Sequence, residues 1–243
     1  MSAVLNVSGY RFAALDALPA RRAALLLAAR DRGLRGTVLL AEEGINLVLA
    51  GAAPQVHDFL RLLRSDAQLA GLEAKESWSD AVPFGRLLVK IKREIIRMNR
   101  PAVRPAQGRA PAVDAATLKR WLDSGHDDAG RPVVLLDTRN GFEVDHGGFA
   151  GAVDWRLAKF SDFPAALQAH RAALQGKTVV SYCTGGIRCE KAALHMLDAG
   201  LETVYQLEGG ILRYFEQVGS AHFRGHCFVF DQRVALAADL RAP

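Results

Sequence analysis

The segment 178–193, TVVSYCTGGIRCEKAA, sets the strongest limit on what this chain can form. Its opening run, Thr178-Val179-Val180-Ser181-Tyr182, has the length and apolar character of a strand buried on both faces of a parallel sheet. Cys183 follows at once. The loop Thr184-Gly185-Gly186-Ile187-Arg188 then leads to a helix expected to start near Cys189 and to close at Gly200. In open α/β sheets, chemistry collects beyond the carboxyl ends of strands, which is where this spacing puts Cys183.

The residue types of the loop suit an anionic sulfur. Adjacent glycines let backbone N–H groups turn inward without a Cβ clash. Such a nest, with a helix N-terminus beside it, favours negative charge. Thiolate is the nucleophilic form of cysteine, and this setting lowers its pKa. Cys183 is therefore the expected nucleophile, able to carry a persulfide at the mouth of a glycine-lined cradle, with Arg188 adding positive charge. Cys189 is either a packing residue of the first helical turn or a second thiol that resolves Cys183. Cys227 lies near His222 and His226, but further zinc ligands are not found, and no metal site is expected.

Alternation of strands and helices recurs through the rest of the second half. Strands are expected at 133–137, 153 and 204–207, and helices at 117–122, with Asp114 as cap, 164–174 and 211–218. Strand, crossover helix and strand in series imply a mostly parallel sheet. The first half reads differently. Strands at 3–7, 37–41, 45–50 and 87–91 and helices at 19–30 and 55–64 give the order β-α-β-β-α-β, a ferredoxin-like α+β pattern. Helix 55–64 shows Val56, Phe59, Leu60 and Leu63 on one face. Glu42 and Glu43 are read as solvated turn residues of a hairpin. Between the halves, Pro101, Pro105, Gly108 and Pro111 mark a boundary. The expected organisation is a first domain over 1–98, a linker and first helix over 99–125, a second domain over 126–220 and a tail over 221–243.

Composition fits this picture. With 243 residues, 50% hydrophobic and 23% charged, the chain has ordinary globular character and length enough for two domains. Three cysteines do not make a disulfide framework, and residues 1–18 lack the basic and apolar regions of a signal peptide, so a reduced, cytoplasmic protein without membrane spans is expected. A net charge of +5 is either a solvated surface or a surface for a polyanion. If it is the latter, Arg100, Arg104 and Arg109 are the candidate phosphate contacts.

Several of these segments resemble the rhodanese superfamily: Asp137-Thr138-Arg139, Phe142-Glu143 followed by Gly148-Phe149-Ala150-Gly151-Ala152, the Cys183 loop, and Leu207-Glu208-Gly209-Gly210-Ile211. The string CTGGIRCEKA is similar to that of the rhodanese-like tRNA uridine(34) hydroxylases. The segment 36–46 resembles their N-terminal acylphosphatase-like domain, and 227–235 resembles their tail. Leu47-Val48 and the segment 94–99 depart from the family pattern. The resemblance implies oxygen-dependent formation of 5-hydroxyuridine at the wobble position of tRNA, with Cys183 as the active cysteine. It implies molecular oxygen and an unidentified reductant; the residues themselves identify no cofactor, and no protein partner is predicted. Thiosulfate or persulfide sulfur transfer is the alternative that the same loop allows. A phosphatase is disfavoured, because Arg188 sits one position short of Cys-x5-Arg.

Overall fold

The computed structural model describes residues 3–243; Met1 and Ser2, the first residues of the expected first domain, lie outside the described residues. The chain divides into two compact units, one of residues 3–97 with Phe230–Arg233, the other of Met98–Val229 with Val234–Arg241.

The first unit begins with β1 (Val4–Phe12), α1 (Leu18–Asp31), β2 (Arg35–Ala41), β3 (Gly44–Gly51) and α2 (Ala53–Arg64). Then come β4 (Glu73–Ser79) and β5 (Leu87–Ile91). The sheet order is β4-β1-β3-β2-β5, antiparallel except for the parallel β2–β5 pair. The first four strands and two helices form the ferredoxin-like arrangement expected from the sequence. The sixth element of that pattern is β4, not the 87–91 strand, which adds a fifth strand at the opposite edge. Hydrophobic periodicity missed β4 because its inward positions are Lys75 and Ser77.

Helix α2 buries Val56, Phe59, Leu60 and Leu63, the spacing read from the sequence. Each fully buried side chain of this size contributes ~1.5–3 kcal/mol. These residues pack with Leu5, Val38, Leu40, Ile45, Leu47 and Leu49 of the sheet. The β2–β3 hairpin turns at Glu42-Glu43, but Glu43 is more than a solvated turn residue. Its carboxylate accepts the Ile95 backbone N–H at 2.7 Å, and the Asn46 side chain donates to the Ile95 carbonyl at 3.2 Å.

The second unit contains β6 (Ala112–Val113), α3 (Ala115–Ser124), β7 (Val133–Asp137), α4 (Gly141–Val144), β8 (Gly147–Phe149), β9 (Val153–Asp154) and α5 (Phe163–His170). It continues with β10 (Thr178–Tyr182), α6 (Ile187–Asp198), β11 (Val204–Leu207) and α7 (Gly210–Val218). Three short strands close it: β12 (Phe223–Gly225), β13 (Cys227–Phe228) and β14 (Ala235–Leu236). The main sheet, β6-β11-β10-β7-β9, is parallel throughout. Asp114 caps α3 by accepting the Thr117 N–H at 2.8 Å. Every residue of β10 is buried, as a central strand covered on both faces requires. Two of its hydroxyls are paired: Thr178 donates to Asp127 at 2.6 Å and Ser181 to the Tyr205 carbonyl at 3.3 Å. Among the described residues, no helix is long and apolar enough to cross a membrane.

Candidate active site

The sheet delivers Cys183 one residue past the end of β10. The turn that follows is tighter than the sequence suggested. Gly186 stands at φ 97° as the N-cap of α6, and the Cys189 and Glu190 N–H groups already point back to its carbonyl at 3.1 and 3.3 Å. The helix therefore starts at Ile187 rather than near Cys189. Thr184, Gly185 and Gly186 remain as loop, while Ile187, Arg188 and Cys189 form the first turn. The conformational freedom of Gly186 is what permits the early start.

That turn aims backbone donors at the sulfur. The Gly186 N–H lies 3.1 Å from Cys183 Sγ. Burial alone would push the Cys183 thiol up. The hydrogen bond from Cys189, the Arg188 charge and the backbone N–H groups of Arg188 and Gly186 outweigh it and bring the thiol down to about 5. Cys189 moves the opposite way, well above the ordinary thiol range, through burial and its bond to Cys183. The pair thus carries one proton, on Cys189, and one charge, on Cys183. The sulfur is not at an open mouth: Cys183 is 0% exposed. It is enclosed, with the cradle's donors turned toward it rather than away.

Arg188 has a dedicated counter-ion that was not singled out from the sequence. Its two terminal nitrogens donate to both oxygens of Glu143, at 2.6 and 2.7 Å, with both side chains buried. Glu143 Oε2 also accepts the Asn140 N–H at 2.9 Å, which fixes the carboxylate on the short helix α4. The segment before α4 is held by a second buried pair. Arg139 donates to Asp137 at 2.6 Å and to the Gly147 carbonyl at 2.7 Å. The signal for Glu143 was present in the Phe142-Glu143 segment, but nothing in the spacing gave its partner.

The loop is also held from behind. The Ile211 and Leu212 N–H groups of α7 donate to the Cys183 and Thr184 carbonyls at 3.0 and 3.1 Å. The Thr184 hydroxyl donates to the Phe228 carbonyl at 3.4 Å. Cys227 is buried nearby, and burial pushes its thiol up to about 12, which leaves it protonated. His222 turns to Asp123 at 2.7 Å.

The three arginines are exposed, and they differ in their engagements. Arg104 donates to the Pro101 carbonyl at 3.2 Å. Arg109 pairs with Glu190 of α6 at 3.0 Å. The Arg100 charge adds to burial in lowering the pKa of His195 on the same helix.

Family comparisons agree with this architecture. Residues 4–95 match the model of the UPF0176 acylphosphatase-like domain, and residues 114–217 match the rhodanese-like domain. Among solved structures, the rhodanese-like domain of an Anabaena protein, determined by NMR, aligns at 22% identity over 48% of this chain and 80% of its own, with a TM-score of 0.39. The fold and the cysteine loop define a protein in which an acylphosphatase-like domain precedes a rhodanese-like one. Two relatives narrow the class. A protein of Variovorax paradoxus named tRNA uridine(34) hydroxylase is 63% identical over 242 residues, covering 100% of this chain and 92% of the relative. One of the same name from Bordetella petrii is 64% identical over 236 residues, covering 97% and 94%. The chain belongs to the tRNA uridine(34) hydroxylase family.

Proposed function

We propose that this chain hydroxylates the wobble uridine of tRNA to 5-hydroxyuridine, with Cys183 as its reactive sulfur. The observation that carries the reading is 63% identity, over the whole of this chain, to a relative of that name. The lowered thiol adds a chemical reason to look to Cys183: a thiolate held by the Gly186 and Arg188 amides is poised as a nucleophile, and the same donors suit a persulfide anion.

Hydroxylation replaces the C5–H bond of uridine by C5–OH. One atom of molecular oxygen enters that bond, and the other leaves as water after taking two protons and two electrons from an external reductant. The role of this chain's own residues is to hold anionic sulfur, exclude water from it and bind the RNA. Arg100 and Arg104 contact RNA phosphates in this reading, and Arg109, paired with Glu190, lies beside them in sequence as the weaker candidate.

The test is mass spectrometry of tRNA nucleosides from cells with the gene, without it, and with Cys183→Ala. Loss of 5-hydroxyuridine in the last two supports the reading; undiminished 5-hydroxyuridine in the deletion strain overturns it. The rhodanese-domain match favours a second reading, sulfur transfer through a Cys183 persulfide. Turnover of thiosulfate together with no activity on tRNA selects that one.

A further inference from the structure

Aromatic side chains gather beside the Cys183 loop, one exposed and one half-buried. Phe142, on α4, is 47% exposed. Its ring meets that of Phe228, on β13, at 5.3 Å and 87°, an edge-to-face pair. The exposed imidazole of His146 lies 5.2 Å from the Phe228 ring at 49°. Both phenylalanines are tied to the groups that fix the sulfur. Phe142 precedes Glu143, whose carboxylate grips Arg188, and Phe228 offers its carbonyl to the Thr184 hydroxyl. The backbone that carries these rings is therefore held by the same bonds that hold the loop.

We propose that Phe142 and Phe228, with His146 at their side, form a stacking platform for a pyrimidine base turned out of an RNA strand. The inference rests on the reading above for the identity of the base. An enzyme that alters a ring carbon must take the base out of its stack and give it another surface to lie on. Single-stranded RNA is recognised by splayed bases stacked on aromatic side chains. An edge-to-face pair with one ring half exposed supplies such a surface. A protein of net charge +5 offers the complementary attraction for the phosphates on either side.

The probe is an anticodon stem-loop RNA carrying 5-fluorouridine at the wobble position, titrated with the full-length protein and followed by fluorine NMR. Stacking on the rings shifts that resonance upfield. Phe142→Leu is expected to abolish the shift and to weaken binding about tenfold, while Phe142→Trp retains both. A thermal melt of each variant separates a lost platform from a lost fold. A wild-type resonance that does not move, or one that moves equally in folded Phe142→Leu, overturns the platform. Turnover is measured separately on the same stem-loop with ordinary uridine. Absence of 5-hydroxyuridine there counts against the functional reading alone, because the fluorine shift reports stacking without chemistry.

Discussion

Glu143 holds Arg188 with both carboxylate oxygens, at 2.6 and 2.7 Å, and neither side chain has more than marginal contact with water. The pair joins α4 to the first turn of α6 across 45 residues of sequence. It gives the buried Arg188 charge beside Cys183 a carboxylate counter-ion. It also keeps Arg188 from moving, so that its backbone N–H stays on the sulfur.

Glu143→Gln removes the charge while keeping an acceptor for the Asn140 N–H. Removing one partner of a buried ion pair strands the other, at a cost of ~3–5 kcal/mol. Urea unfolding of the variant is expected to show a loss in that range. A loss below ~1 kcal/mol would mean that Arg188 finds other solvation and that the pair is not what secures the turn.

The pH dependence of Cys183 alkylation follows from its lowered pKa. An ordinary thiol near 9 reacts faster as pH climbs through 8 and 9. Cys183, with its thiol near 5, is already ionised at neutral pH. Its rate is expected to be flat from about pH 6 to 8 and to fall as pH drops through about 5. Cys189→Ala deletes the donor that shares its proton with Cys183, so the midpoint moves up in that variant. Mass-resolved iodoacetamide labelling measures both. A wild-type rate that rises steadily to pH 9 is incompatible with the cradle.

Gly210 backs the loop so closely that a methyl group has no room. It sits at φ 68°, and a Cβ there would lie 2.4 Å from the Cys183 carbonyl oxygen and 2.8 Å from both the Gly186 nitrogen and the Thr184 carbonyl oxygen. Gly210→Ala combines left-handed strain of ~1–2 kcal/mol with that overlap. The expected outcome is a destabilised protein whose alkylation midpoint has moved up, because the Gly186 N–H is displaced from the sulfur. Gly85→Ala, where the added atom meets nothing within 4 Å, is the control and is expected to change stability by less than about 0.5 kcal/mol.

How much of this was legible beforehand depends on whether the signal is local. Strand β10 and the amphipathic face of α2 are written in consecutive or periodic apolar residues, and the sequence places them within a residue or two. The cysteine at the strand end and its glycine pair are equally local. Strand β4 was not legible, because an edge strand with Lys75 and Ser77 facing inward has no apolar period to read. Nor were the partners that act across the fold: Glu143 for Arg188, Glu43 for Ile95, and the α7 amides for the loop carbonyls. Those bonds join residues that only the folded chain brings together. The early start of α6 was missed for a third reason. Gly186 can end a loop or begin a helix, and its φ of 97° decides between them.

Salt dependence of tRNA binding separates the three arginines. Each phosphate contact releases counterions, and the slope of log K against log salt changes by about 0.7 to 0.9 per contact. Arg100→Ala and Arg104→Ala are each expected to reduce the slope by about 1 and to weaken binding to all tRNA sequences alike. Arg109 is already committed to Glu190 at 3.0 Å, and the Glu190 carboxylate is only 7% exposed. To reach a phosphate, Arg109 must give up that bond. Arg109→Ala is therefore expected to change the slope by less than half as much as the other two. Fluorescence anisotropy between about 50 and 200 mM salt measures the slopes. Equal slope changes for all three variants would mean that the Arg109–Glu190 bond opens on RNA binding; no change for Arg100 or Arg104 would place the phosphate contacts elsewhere on the chain.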